Sequence, residues 1–146
     1  MLLAREGAAR QPLLAIVDDD VSFQNSLRRL IQTFGFRVAA FGSGRDFLSS
    51  SQVAETACLV LDMRMPDMSG LELQRCLAEA GRRIPIIFIT GFANEDEEQR
   101  ALRAEAVAFL HKPINDRTLL QCVEMALSQG SDATETPGDF TPSELR

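Results

Sequence analysis

The chain contains no tryptophan, no tyrosine, one histidine and three cysteines in 146 residues. Cys58, Cys76 and Cys122 are widely spaced, form no CxxC pair, and have only His111 as a companion metal ligand. That scarcity excludes a disulfide framework and a structural zinc site, and it leads us to expect a reducing, cytoplasmic compartment. Positive charge is also short: 15 lysines and arginines stand against 21 aspartates and glutamates, a net charge of −6. Without a basic cluster, no nucleic acid is expected to bind this chain alone. No apolar run approaches the length of a membrane span, and residues 1–17 lack the apolar stretch and cleavage site of a secretory signal. No membrane association is expected.

What is present is ordinary globular material. Apolar residues make up 45% and charged residues 25%, which argues against disorder along the whole chain. The length suits one domain, able to bury roughly two-thirds of the surface its unfolded chain exposes. Residues 1–12 show no strong period and read as an N-terminal arm, and residues 130–146 turn to Ser, Gly, Thr, Asp and Pro and read as a flexible linker or tail. Between them, residues 13–129 alternate short apolar runs with helical patterns. The runs are 13–17, 37–41, 58–61, 84–90 and 107–110. Helical spacing follows at 21–34 (stopped by Gly35), after Ser43, around 71–77 (closed by Gly81), at 94–104 and at 115–129. Five strand–helix pairs, with strands apolar throughout rather than alternating, predict an α/β fold: a parallel sheet covered by helices on both faces.

In open α/β sheets, ligands bind beyond the carboxyl ends of the strands. Asp18, Asp19 and Asp20 follow the first run, Asp62 the third, Thr90 and Gly91 end the fourth, and His111, Lys112 and Pro113 follow the fifth. Two like charges about 4 Å apart repel by ~4 kcal/mol at an effective dielectric of 20, so this edge needs positive charge. Lys112 supplies one unit. A hard divalent cation suits the rest, because the donors are all oxygen, and few carboxylates with open positions fit Mg²⁺. A carboxylate beside such charge, with a hydroxyl donor nearby, is equipped to accept a phosphoryl group. Each residue taken alone has a plainer reading: an aspartate capping the helix after the first run, a turn aspartate, a strand-end threonine, a surface lysine. Their coincidence at one sheet edge favours the functional reading. The three cysteines, at apolar positions, read as small hydrophobes.

The segments VDDD (17–20), LDMRMPDMSG (61–70), ITG (89–91) and FLHKP (109–113) together resemble the response-regulator receiver domain, the CheY-like family. LDMRMPDMSG and ITG most resemble its FixJ-like, LuxR-type members. The resemblance runs from about residue 13 to 128 and implies a (βα)5 doubly wound, flavodoxin-like, five-stranded sheet of order 2-1-3-4-5. It implies that Asp62 is the phosphoacceptor, that Asp18, Asp19, Asp62 and the backbone carbonyl of Arg64 surround Mg²⁺, and that Thr90 and Lys112 contact the phosphoryl group. Phe109 takes the aromatic switch position, and the Lys112–Pro113 bond is expected to be cis. The implied partner is a sensor histidine kinase, and the implied response is homodimerisation through the helix 4–strand 5–helix 5 face. The chain is then a signalling switch rather than a turnover enzyme.

Two features depart from the family pattern. Glu105 stands between Ala104 and Ala106, where receivers of this kind usually place glycine, so this helix end is expected to run differently. The fourth helix opens with Glu95, Asp96, Glu97 and Glu98, which suits a helix N-terminus and makes the partner face acidic. Rival classes fit less well. A haloacid-dehalogenase-type phosphatase needs aspartate where Arg64 stands, and a flavodoxin needs a phosphate-binding loop where three aspartates stand. Residues 140–146, FTPSELR, resemble the opening of a LuxR-type helix-turn-helix domain, so transcription control through a DNA-binding domain absent from this chain is the expected output. The alternative is a single-domain receiver, or a non-phosphorylated interaction module of the same fold.

Overall fold

The computed structural model of the chain describes residues 11–91 and 95–132. Its elements run β1 (Leu13–Val17), α1 (Val21–Thr33), β2 (Arg37–Phe41), α2 (Gly44–Ser49), a 3-10 turn at Val53–Glu55, β3 (Thr56–Asp62), α3 (Gly70–Glu79), β4 (Ile86–Thr90), α4 (Glu95–Arg103), β5 (Ala108–His111) and α5 (Asp116–Asp132). The five strands form one parallel sheet of order β2-β1-β3-β4-β5, as the resemblance implied.

Side chains alternate across the sheet, so each strand feeds two cores. Leu14, Ile16, Val60, Ile87 and Ile89 point to the side where Leu27 and Ile31 of α1 and Leu119 and Val123 of α5 close over them. Ala15, Val17, Leu59, Leu61 and Phe88 point to the other, covered by Phe47 of α2, Leu73 and Leu77 of α3 and Ala101 of α4. This two-sided burial is why β1, β3 and β4 read as continuous apolar runs.

Helix ends follow local chemistry. Asp20 Oδ1 accepts from Phe23 N at the start of α1, Ser43 caps α2, and Ser69 with Glu72 closes a reciprocal capping box on α3. Asn115 Oδ1 accepts from Thr118 N at 3.0 Å beside the start of α5. Beyond α3, Gly81 takes φ 75°, with Arg82 N bonding back to the Leu77 carbonyl.

Some boundaries differ from the sequence expectation. β4 begins at Ile86 rather than 84, because Pro85 has no N–H to donate; its carbonyl instead accepts from Leu59 N at 2.9 Å. β3 is longer than expected, and β5 is shifted to include His111, which pairs with Thr90. α5 continues to Asp132, three residues into the expected tail, since an established helix gains one hydrogen bond for each further residue. The remainder of that tail, with FTPSELR, and residues 1–10 of the expected arm lie outside the described residues.

Candidate functional site

The sheet register assembles the site. Val17 pairs with Leu61, so the residues that follow them, Asp18 and Asp62, leave neighbouring strands at the same level. Oxygen atoms of Asp18, Asp19 and Asp62 all lie within 4.8 Å of one another. Asp18 and Asp62 are buried while Asp19 is exposed, so the cluster has a dry floor and an open mouth. Thr90 is fully buried at the end of β4, the strand next to β3. Lys112 comes from beyond β5, its backbone N–H donating to the Thr90 carbonyl at 2.8 Å and its Nζ 3.1 Å from Asp18 Oδ2. The Lys112–Pro113 peptide bond is cis, as expected.

Asp20, the third acid of the run, turns away to cap α1. The plainer sequence reading therefore holds for Asp20 alone, and the clustered reading for its two neighbours. Asp20 N also donates to Asp18 Oδ1 at 2.8 Å, which fixes that carboxylate. Phe109 stands apart from the acids. It is half-buried on β5, paired across the sheet with Phe88, its ring 6.4 Å from Phe88 and 5.5 Å from His111.

Charge in this pocket is costly. Burial pushes the Asp62 carboxyl up to about 6; Asp18 pushes the same way, whereas Lys112 and the Arg64 N–H, 3.4 Å from Asp62 Oδ1, pull it back down. Asp18 Oδ2 has no hydrogen-bond partner although it is buried. Lys112 lies beside it as a charge, but not along a hydrogen-bonding direction. A buried carboxylate oxygen with a charge nearby and no donor aimed at it, in an all-oxygen cluster, fits a hard divalent cation. Asp18, Asp19 and Asp62 would be the side chains to hold Mg²⁺.

The backbone approaches tightly here. A Cβ on Gly70 would meet the Asp62 carbonyl at 2.6 Å, so only glycine lets the start of α3 pack against the end of β3. Three further contacts have no signal in the sequence. Gln24 Nε2 donates to the carbonyls of Asp18 (2.7 Å) and Phe41 (3.1 Å), joining the ends of β1 and β2. Arg64, singled out for its carbonyl, extends its guanidinium to Glu97 of α4 at 3.2 Å. The Phe23 ring lies 4.2 Å from Lys112 Nζ. These pairs are 17, 33 and 89 positions apart at their widest, beyond any local pattern.

Burial pushes the Cys58 thiol up to about 12, with Cys122 adding to the effect, and it raises Cys122 as well, so both behave as inert small hydrophobes. Among the described residues, no helix is long and apolar enough to cross a membrane.

Residues 14–124 match the family model described as the response regulator receiver domain. The chain is 44% identical over 119 residues to nodulation protein W of Bradyrhizobium diazoefficiens, covering 82% of this chain and 52% of that protein. It is 38% identical over 111 residues to the transcriptional regulatory protein FixJ of Rhizobium meliloti, covering 76% and 54%. Among solved structures, response regulator StyR superposes with a TM-score of 0.78 at 40% identity, over 84% of this chain and 62% of that one. The FixJ N-terminal structure gives 0.74 at 35%, over 82% and 95%. The chain spans about half the length of the curated relatives it matches. Its fold, the acids at the ends of β1 and β3 and the match over most of its length lead to one conclusion: the chain belongs to the response-regulator receiver domain family.

Proposed function

We propose that the chain, with residues 13–129 as the switching unit, accepts a phosphoryl group on Asp62 from a sensor histidine kinase and changes its partner face in response. The observation that carries this reading is the buried Asp18–Asp62 pair with a cation, Lys112, held beside it. A carboxylate oxygen of Asp62 forms the new O–P bond as the P–N bond of the donor phosphohistidine breaks, and that electron pair returns to the imidazole. Asp62 must be ionised to attack, a condition favoured above about pH 6. Mg²⁺, on Asp18, Asp19, Asp62 and the Arg64 backbone carbonyl, would offset the charge on the phosphoryl oxygens. Lys112 moves from Asp18 to the phosphoryl group, and the Thr90 hydroxyl donates to one of its oxygens.

A phosphorylated side chain carries roughly −1.5 to −2 charges, so phosphorylation adds negative charge to an already acidic pocket. Thr90 and Lys112 are the groups placed to answer it, and Phe109, on β5 three residues before Lys112, follows inward. The face formed by α4, β5 and α5 then changes shape and pairs two copies of the chain. Moving the population from 1:99 to 99:1 takes ~5.5 kcal/mol of differential stabilisation. Three of the matched relatives carry the words transcriptional regulatory protein in their names, and each extends well beyond the matched part. Control of transcription in the cytoplasm, through a DNA-binding region beyond residues 13–129, is the output that this supports.

The test is incubation with acetyl phosphate and Mg²⁺, read by intact mass. One added phosphoryl group is expected in the wild type, dependent on Mg²⁺ and missing from Asp62→Asn. A wild type that gains nothing, or an Asp62→Asn variant that gains as much, would overturn the assignment.

A further inference from the structure

Lys112 is gripped from two sides by unlike partners. Asp18 Oδ2 holds its Nζ by charge at 3.1 Å, and the ring of Phe23 meets it at 4.2 Å from the centroid. Phe23 is on the first turn of α1, fixed there by its own N–H donating to Asp20 Oδ1 at 3.1 Å. It is half-buried at the rim of the core beneath α1, so its ring looks both inward and toward the ammonium. The Lys112 side chain is 22% exposed, dry enough for an aromatic face to attract a cation appreciably.

The two grips respond differently to charge. A divalent cation among Asp18, Asp19 and Asp62 offsets the carboxylate that draws Lys112 in, and it repels the ammonium. The ring carries no net charge, so its attraction for Nζ survives that change. We propose that Phe23 is a positioning residue, which keeps the Lys112 ammonium at the acid cluster once the pull of Asp18 has been neutralised, ready for an incoming phosphoryl group. This rests on the reading of Asp62 as phosphoacceptor. It implies that loss of the ring weakens binding of a phosphoryl-like anion but not binding of the metal.

The probes are Mg²⁺ alone and beryllofluoride at saturating Mg²⁺, each titrated calorimetrically into the full chain. Phe23→Leu and Phe23→Met keep an apolar side chain and remove the ring face, and Phe23→Tyr retains it. Leu and Met variants are expected to bind beryllofluoride about three- to tenfold more weakly, with Mg²⁺ affinity unchanged or raised, and the Tyr variant to stay within about twofold of wild type. Parallel weakening of both probes would make Phe23 a packing residue and overturn the proposal. Equal behaviour of all three variants would overturn it too. A wild type that binds Mg²⁺ and beryllofluoride while the variants match it defeats this inference alone. A wild type that binds neither defeats the phosphoacceptor reading, and this inference with it.

Discussion

α3 and α4 cover the same face of the sheet and touch where Gln74 Nε2 donates to the Ala104 carbonyl at 2.8 Å, yet different forces hold them. α3 is fixed by packing and backbone chemistry. It buries Leu73 and Leu77, starts in a capping box with Gly70 at a position too tight for any side chain, and is followed by Gly81 at φ 75°. α4 buries only Ala101. Its order comes from charge: four acids in its first turn, Arg100 and Arg103 in its last, and the Glu97–Arg64 pair. It ends with the same hydrogen bonds as α3, Ala106 N to the Ala101 carbonyl and Glu105 N to the Leu102 carbonyl, but with Glu105 at φ 71° in glycine's place. The helix seated by packing starts against Asp62, the proposed acceptor. The one seated by charge forms part of the face proposed to switch, where displacement sacrifices little burial.

The strongest challenge to this contrast is truncation of one leucine in each helix. Leu73→Ala in α3 is expected to cost about 2–5 kcal/mol in chemical denaturation, while Leu102→Ala, at a side chain 42% exposed, costs about 0.5 kcal/mol or less. Similar losses would erase the distinction. The acid pocket sharpens it at intermediate size. With its folded value near 6 against an ordinary 3.8, Asp62 binds more protons in the folded state between those values, so metal-free stability falls as pH rises through that window. Asp62→Asn is therefore expected to raise the melting temperature at pH 7 without divalent cations, with the gain shrinking toward pH 4; a pH-independent gain would contradict the charged-pocket origin. A smaller effect than that of Leu73 belongs to the end of α4. Glu105→Gly relieves a left-handed residue and is expected to stabilise by about 1 kcal/mol in thermal or urea unfolding, whereas loss of stability would mean that the Glu105 side chain makes contacts that outweigh the strain.

Sequence reasoning reached the fold because β1, β3 and β4 are apolar runs and each candidate site residue lies at or just beyond the end of a run. Asp18, Asp19, Asp62, Thr90 and Lys112 could be placed at one edge by counting alone, and the structure brings the three acids and Lys112 together there. The Glu105 departure was legible for the opposite reason: a side chain stood where the turn demands positive φ. What stayed hidden depended on how separate elements approach. The reach of Arg64 to Glu97 needs the rotation of α4, and the bridging of two strand ends by Gln24 needs the roll of α1. Neither is encoded in a spacing. The start of β4 was misplaced because proline's missing donor mattered more than the apolar character of Ile84.

The Gln24 bridge has a consequence for the electrical balance of the pocket. The Asp18 carbonyl takes a donor from the Gln24 amide, which also gives the Phe41 carbonyl a second one beside the Asp18 N–H, without adding charge. Asp20 is occupied at the helix start, so the ledger beside it closes on three carboxylates and one ammonium. That leaves two negative charges, what one divalent ion neutralises. An arginine at position 24 would have filled half of that deficit permanently, and a glutamate would have deepened it. By meeting the backbone's needs with a neutral group, the fold reserves the deficit for a cation that can come and go.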